Sequence, residues 1–262
     1  MQSTRFPGKV LHPIPLQDGK PMLLWIIDQL KTSSTQGNII VATSTNSLDD
    51  KLEEFCNSHN IDCFRGDEDN VFSRFQKVTV HNQLDIVVRL TADNPLIEIK
   101  TIDKAIKYHI NESNQYTYTS DLPIGMNVEI VDGAVLQKIE GVFLTKAETE
   151  HVTLHIKDSN NFKKERFRSM IDSNVQNYRL TIDYPSDFLV LSSILQFYRA
   201  DERTGIDLIY YIHKNYPWIF EVNRQNFQRT QHSNINEELN AAINILKVAE
   251  LERAAKILKE HE

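Results

Sequence analysis

Between residues 22 and 110, stretches of helically spaced apolar residues alternate with short continuous apolar runs, and this rhythm limits the fold more than any other feature of the chain. The spacing predicts helices over 22–31, 48–59, 70–82 and 99–110, and strands over 38–43, 61–64 and 85–91. Such repetition builds parallel units, because two parallel strands need a long crossover that a helix supplies. The runs Ile39 to Ala42 and Ile86 to Val88 carry no polar alternation, as expected of strands covered on both faces. The predicted class is α/β, with a mixed, mostly parallel sheet and helices on both faces.

Beyond Tyr116 the rhythm changes. Strands are predicted over 115–119 and 127–131, and 166–171 and 178–182 pair as further strands antiparallel to the first set. Helices follow over 146–157, 185–198 and 205–215. From Asn236 onward, Leu239, Ile243, Leu246, Leu251, Ala254 and Leu258 fall at helical spacing with Glu and Lys between them, which predicts a C-terminal amphipathic helix. We therefore expect a main domain over 1–235 and a terminal helix over 236–262, which packs on its own domain or forms a homodimer contact.

Composition excludes several partners. A net charge of -7 and a pI near 5.7, with no block of basic residues interleaved with aromatics, argue against nucleic acid. Cys56 and Cys63 stand at no metal-ligand spacing from histidine, so neither a disulfide framework nor a zinc site is expected, and a cytoplasmic location fits. The apolar run Leu23 to Ile27 is far shorter than the roughly 20 residues of a membrane span, so membrane insertion is not expected.

The chemistry begins at the start of the chain. Ser3, Thr4, Arg5, Gly8 and Lys9 bring hydroxyl donors, two cations and a backbone kink into one short segment, which suits a polyanion such as a nucleoside triphosphate. A frayed basic terminus reads equally well. Asp93 and Asp183 each follow a predicted strand, and open α/β sheets bind ligands beyond the carboxyl ends of their strands. Two carboxylates at one crevice, bridging Mg2+ to a triphosphate, are the expected arrangement. Helix capping is the competing explanation for each, since Asn94-Pro95 and Tyr184-Pro185 both open helices plausibly.

Taken in order, Ser3-Thr4-Arg5-Phe6-Pro7-Gly8-Lys9-Val10-Leu11, Gly19-Lys20-Pro21-Met22, Val41-Ala42-Thr43, Arg65-Gly66-Asp67, Arg89 to Ile97 and Leu180-Thr181-Ile182-Asp183 resemble the acylneuraminate cytidylyltransferase family. The similarity is greatest to the branch named for spore-coat polysaccharide biosynthesis. It implies a Rossmann-like nucleotidyltransferase fold and transfer of CMP from CTP to a sugar or sugar acid, with release of pyrophosphate and with Mg2+ as cofactor. By the same resemblance Arg5 and Lys9 bind the triphosphate and act in catalysis, and Asp93 and Asp183 hold the metal. Ser3, Thr4, Gly8, Arg65, Asp67, Arg89 and Thr91 complete the nucleotide site. Gly125, Asn127, Glu129, Glu150 and His151 face the acceptor, with Asn127 where this branch commonly has aspartate. Surface ion pairing accounts for Arg65, Asp67 and Arg74 nearly as well, and helix packing or capping accounts for His151.

Family members place a hydrophobic strand and Gln-Ala-Arg before the segment that begins here at Met1. The resemblance therefore implies a sheet short of a central strand and a weakened phosphate loop. Two other activities compete with cytidylyl transfer: nucleotide-sugar-dependent glycosyl transfer, and silent binding of a nucleotide or sugar within a biosynthetic complex.

Overall fold

The computed structural model describes residues 6–35, 37–139, 144–226 and 235–260. Strands are β1 (Pro13–Ile14), β2 (Lys20–Pro21), β3 (Ile40–Ser44), β4 (Asp62–Gly66), β5 (Ile86–Arg89), β6 (Tyr116–Tyr118), β7 (Glu129–Asp132) and β8 (Lys164–Arg166). Helices are α1 (Met22–Leu30), α2 (Asp50–Ser58), α3 (Val71–His81), α4 (Ile99–Asn111), α5 (Gly133–Lys138), α6 (Lys146–Glu150), α7 (Leu154–Asp158), α8 (Ser173–Gln176), α9 (Pro185–Leu195), α10 (Gly205–Asn215), α11 (Ile235–Val248) and α12 (Glu252–Glu260). Two compact units result, Met1–Val222 and Asn223–Glu262.

In the larger unit β3 and β4 form a parallel pair, while β5, β7, β6 and β8 form a separate four-stranded sheet in that order. β7 runs antiparallel to both β5 and β6, and β6 is parallel to β8. The sequence predicts a mixed, mostly parallel sheet; the strands are mixed as expected but only partly parallel. Residues 119–128 hold no crossover helix, so β7 returns antiparallel beside β6. Among the described residues β3 and β5 each have one strand partner.

Helices do cover both faces. On one, Leu23 and Ile27 of α1 pack with Val41, and Ile26 packs with Val88 and Ile130. On the other, Phe72 of α3 packs with Val87 and Val131. α9 and α10 build a third cluster around Leu180 and Ile182, both fully buried. Truncating either to alanine would cost about 2–5 kcal/mol, so these two side chains anchor the segment that carries them in the core.

Four predicted elements differ. In place of the strand expected over 166–171, β8 ends at Arg166 and pairs with β6. Residues 178–182 form no strand; they join residues 119–128 by a single bridge, Ile124 to Arg179. The predicted helix over 146–157 breaks into α6 and α7 at residues 151–153. The terminal helix is two, α11 and α12, which pack on each other, and Glu250 between them takes φ 59° to make the turn. Periodicity carries through such a break because both halves keep an apolar side. No helix among the described residues is long and apolar enough to cross a membrane.

Candidate functional site

Strand register sets the rim on which the candidate residues gather. Arg89 lies opposite Glu129, Glu129 opposite Tyr118, and Tyr118 beside Arg166, so one end of the sheet feeds residues 90–98, 119–128 and 167–172. Across two of these loops lies the segment 178–182. The Ile124 amide donates to the Tyr178 carbonyl at 2.9 Å, the Leu180 amide to Ile124 at 2.7 Å, and the Ile182 amide to Asp93 at 2.9 Å. That last bond sets Asp183 beside Asp93, although ninety residues separate them in sequence.

Lys9 joins the two carboxylates. Gly8 takes φ 71°, a left-handed conformation that glycine adopts without steric cost, and a 3-10 turn over Lys9–Leu11 follows. The Lys9 side chain is turned inward, and only 8% of the residue is exposed. Its Nζ donates to Asp93 Oδ2 at 3.0 Å, to Asp183 Oδ1 at 3.2 Å and to the Ile182 carbonyl. The carboxylates are held from behind as well. The Thr91 hydroxyl donates to Asp93 Oδ1 at 2.6 Å, and Arg179 reaches Asp183 Oδ2 at 2.7 Å. Burial pushes the Asp183 carboxyl up, but the charges of Lys9 and Arg179 outweigh it and hold the group below its ordinary range.

Arg179 and Asp187 did not emerge from sequence reasoning. The Arg179 guanidinium also binds Asp187, which is fully buried, and the Asp187 carboxylate accepts from the amides of Asp183 and Tyr184 at the start of α9. One carboxylate therefore caps the helix and fixes the arginine that orients Asp183. The only trace in sequence is the four-residue spacing of Arg179, Asp183 and Asp187, an unspecific signal.

The remaining candidates divide. Ser3, Thr4 and Arg5 lie outside the described residues. Arg65 bonds to Asp50, Glu53 and the carbonyls of Ser44 and Asn46, which ties β4 to α2. Asp67 accepts from the amides of Asp69 and Asn70 ahead of α3, and Arg74 donates to the Asp67 carbonyl. These contacts are local to β3, β4, α2 and the entry to α3.

Glu129 centres a second polar group on the same rim. It accepts from Arg89 at 2.7 Å, from the Tyr116 hydroxyl at 2.6 Å and from the Thr153 hydroxyl at 2.8 Å. Burial raises its carboxyl, and these three donors, led by the Arg89 charge, bring it below the usual glutamate range. Burial and the neighbouring Glu129 charge push the Tyr116 phenol strongly up, so Tyr116 is a fixed donor. Glu150 and His151 are exposed at the end of α6, and Thr153 is the residue of that motif that reaches Glu129.

Gly125, at φ 101°, lies against the Leu180 and Thr181 backbone, where an added Cβ would come within 2.9 Å. Asn127 is engaged with its own loop. Its Oδ1 accepts from the Thr119 hydroxyl and the Leu122 amide, and its Nδ2 donates to the Leu122 carbonyl at 3.0 Å.

Among the described residues no group of three or more His, Cys, Asp or Glu side chains converges as a metal cage. The donor set nevertheless suits Mg2+: two hard carboxylate oxygens and a carbonyl oxygen meet at one cation, leaving the other positions to phosphate and water.

Comparison with known proteins places the chain in a family. A family model described as cytidylyltransferase matches residues 1–215. The spore coat polysaccharide biosynthesis protein SpsF of Bacillus subtilis is 32% identical over 225 residues, covering 82% of this chain and 91% of that protein. A solved cytidylyltransferase from Leptospira borgpetersenii is 30% identical with a TM-score of 0.75, covering 88% of this chain and 94% of the other. A CMP:2-keto-3-deoxy-manno-octonic acid synthetase solved with CTP shares the fold at 13% identity, with a TM-score of 0.54 and coverage of 74% and 94%. The Rossmann-like nucleotidyltransferase fold follows from these likenesses.

Proposed function

The chain belongs to the cytidylyltransferase family, and from that premise we propose that it transfers CMP from CTP to a sugar or sugar acid used in surface-glycan synthesis, releasing pyrophosphate. One observation carries the reading: Lys9, Asp93 and Asp183 meet on the rim of the sheet, a cation between two carboxylates. Nucleotidyl transfer needs little else from a protein, because the acceptor is the nucleophile and the barrier lies in charge and alignment at the α-phosphorus.

In this reading Asp93 and Asp183 hold Mg2+, which when bound neutralises phosphate oxygens. Arg179 and Thr91 keep the two carboxylates aimed at the shared point. Lys9 neutralises the charge that develops as pyrophosphate leaves, and Gly8 sets the turn that aims it. Arg5, Ser3 and Thr4 are assigned to the triphosphate. Glu129, with Arg89, Tyr116 and Thr153, forms the polar side of the rim nearest β6 and β7, where an acceptor with several hydroxyls would dock. The relative named for spore coat polysaccharide biosynthesis favours an acceptor among surface sugars. We assign the work to the cytoplasm, where CTP is made.

The test is pyrophosphate release from CTP, UTP and ATP with Mg2+ across neutral, amino and acidic sugars. Acceptor-dependent release from CTP is expected. Cleavage of a preformed nucleotide sugar without pyrophosphate release would indicate glycosyl transfer, and nucleotide binding without release under any condition would indicate a silent binding partner.

A further inference from the structure

We propose that the Lys9 ammonium is the resident counter-ion of the metal position, so that Lys9 and a divalent cation occupy one point in turn and the metal enters only with the nucleotide. The inference rests on the triphosphate reading above and adds the order in which its parts assemble.

The carboxylate geometry carries it. Asp93 gives Oδ1 to the Thr91 hydroxyl and Oδ2 to Lys9, while Asp183 gives Oδ2 to Arg179 and Oδ1 to Lys9. Each carboxylate thus has one oxygen anchored by its own surroundings and turns the other to a common centre. The Ile182 carbonyl is the third oxygen there. An ammonium has three donors and meets three acceptors, so its bonding capacity is filled. Mg2+ or Mn2+ binds carboxylate oxygens at about 2.0–2.2 Å, and it cannot share that centre with an ammonium already in contact with the same oxygens.

Charge makes the exchange conditional. To admit a bare metal ion, Lys9 must give up its ion pairs with two carboxylates while the incoming double charge lies beside it. A triphosphate removes both obstacles, because it brings oxygens for the metal and an anionic partner for the displaced lysine. Lys9 and the two aspartates then remain neutralised at every stage. Arg179 stays on Asp183 and Thr91 on Asp93 throughout, so the carboxylates do not turn when Lys9 leaves.

Mn2+ binding, followed by the electron paramagnetic resonance signal of the free ion and by calorimetry, tests this without turnover. The nucleotide-free wild type should bind Mn2+ weakly. Lys9→Met should bind it about tenfold or more tightly in the absence of nucleotide, although the same substitution impairs transfer. Adding Asp93→Asn to Lys9→Met should return the affinity to the weak level. A folded Lys9→Met protein, checked by thermal melt, that binds Mn2+ no better than the wild type overturns the proposal. Should Lys9→Met fail to fold, the wild type decides: tight Mn2+ binding without nucleotide also overturns it. With a non-hydrolysable CTP analogue present, a wild type that binds neither nucleotide nor the metal–nucleotide pair removes the function proposed above. Binding of the pair with unchanged metal affinity in Lys9→Met removes the exchange alone.

Discussion

Replacing Asn127 by aspartate separates two roles for a residue that sequence resemblance places toward the acceptor. In the structure its side chain closes a small loop: Oδ1 accepts from the Thr119 hydroxyl at 3.1 Å and the Leu122 amide at 3.3 Å, and Nδ2 donates to the Leu122 carbonyl at 3.0 Å. Asn127→Asp keeps both acceptor bonds but loses the donor, and it sets a charged oxygen against the Leu122 carbonyl. A lost hydrogen bond costs about 1 kcal/mol and an unsatisfied carbonyl about as much again, giving about 2 kcal/mol. In a unit the size of Met1–Val222 this lowers Tm by about 4–8 °C at neutral pH. The sign with pH follows from the same contact. The introduced carboxyl is disfavoured as an anion in the fold, so its folded pKa exceeds its unfolded value. The deficit is therefore present above the folded pKa and shrinks as pH falls through it, because the protonated acid regains a donor. Thermal melts of wild type and variant at pH 7.5 and pH 4.5 read both effects. An unchanged Tm at neutral pH, accompanied by a shifted acceptor KM, would refute the loop-closing account and return Asn127 to the acceptor.

Gly125→Ala forces a side chain into a positive-φ site against the Leu180 and Thr181 backbone, and should cost about 2–4 kcal/mol, measured by chemical denaturation. Asp93→Asn and Asp183→Asn should each lower kcat by about 100-fold or more with the secondary structure intact, read by pyrophosphate release and circular dichroism. Glu98 is buried and accepts from the Ile206 amide at 2.7 Å at the start of α10, and burial raises its carboxyl above the ordinary value. Its ionisation opposes folding, so this group's contribution improves as pH falls through the raised pKa. Glu98→Gln should flatten that part of the pH–stability curve and leave neutral-pH stability equal or higher, a result that denaturant melts across pH 4–7 can contradict.

Much of this protein was legible in sequence because its evidence is local. Continuous apolar runs and helical spacing define β3, β5, α1, α3 and α4 through contacts each segment makes with its own neighbours along the chain. Gly8 before Lys9 and an aspartate after each of two apolar runs likewise mark, within a few residues, side chains that the structure brings together. Strand direction is different. Whether β7 runs with β6 or against it depends on how residues 119–128 return, and apolar composition is the same in either direction. The sequence at this point reads equally well as a frayed basic terminus, whereas the fold buries Lys9 between Asp93 and Asp183. That pairing exists because the Ile182 amide finds the Asp93 carbonyl, and because Asp187, itself fully buried, holds Arg179 against Asp183. Residue types and short-range order were determined by the sequence alone; which carboxylate faces which cation was decided only in three dimensions, since such contacts form between segments whose separation along the chain carries no periodic signal.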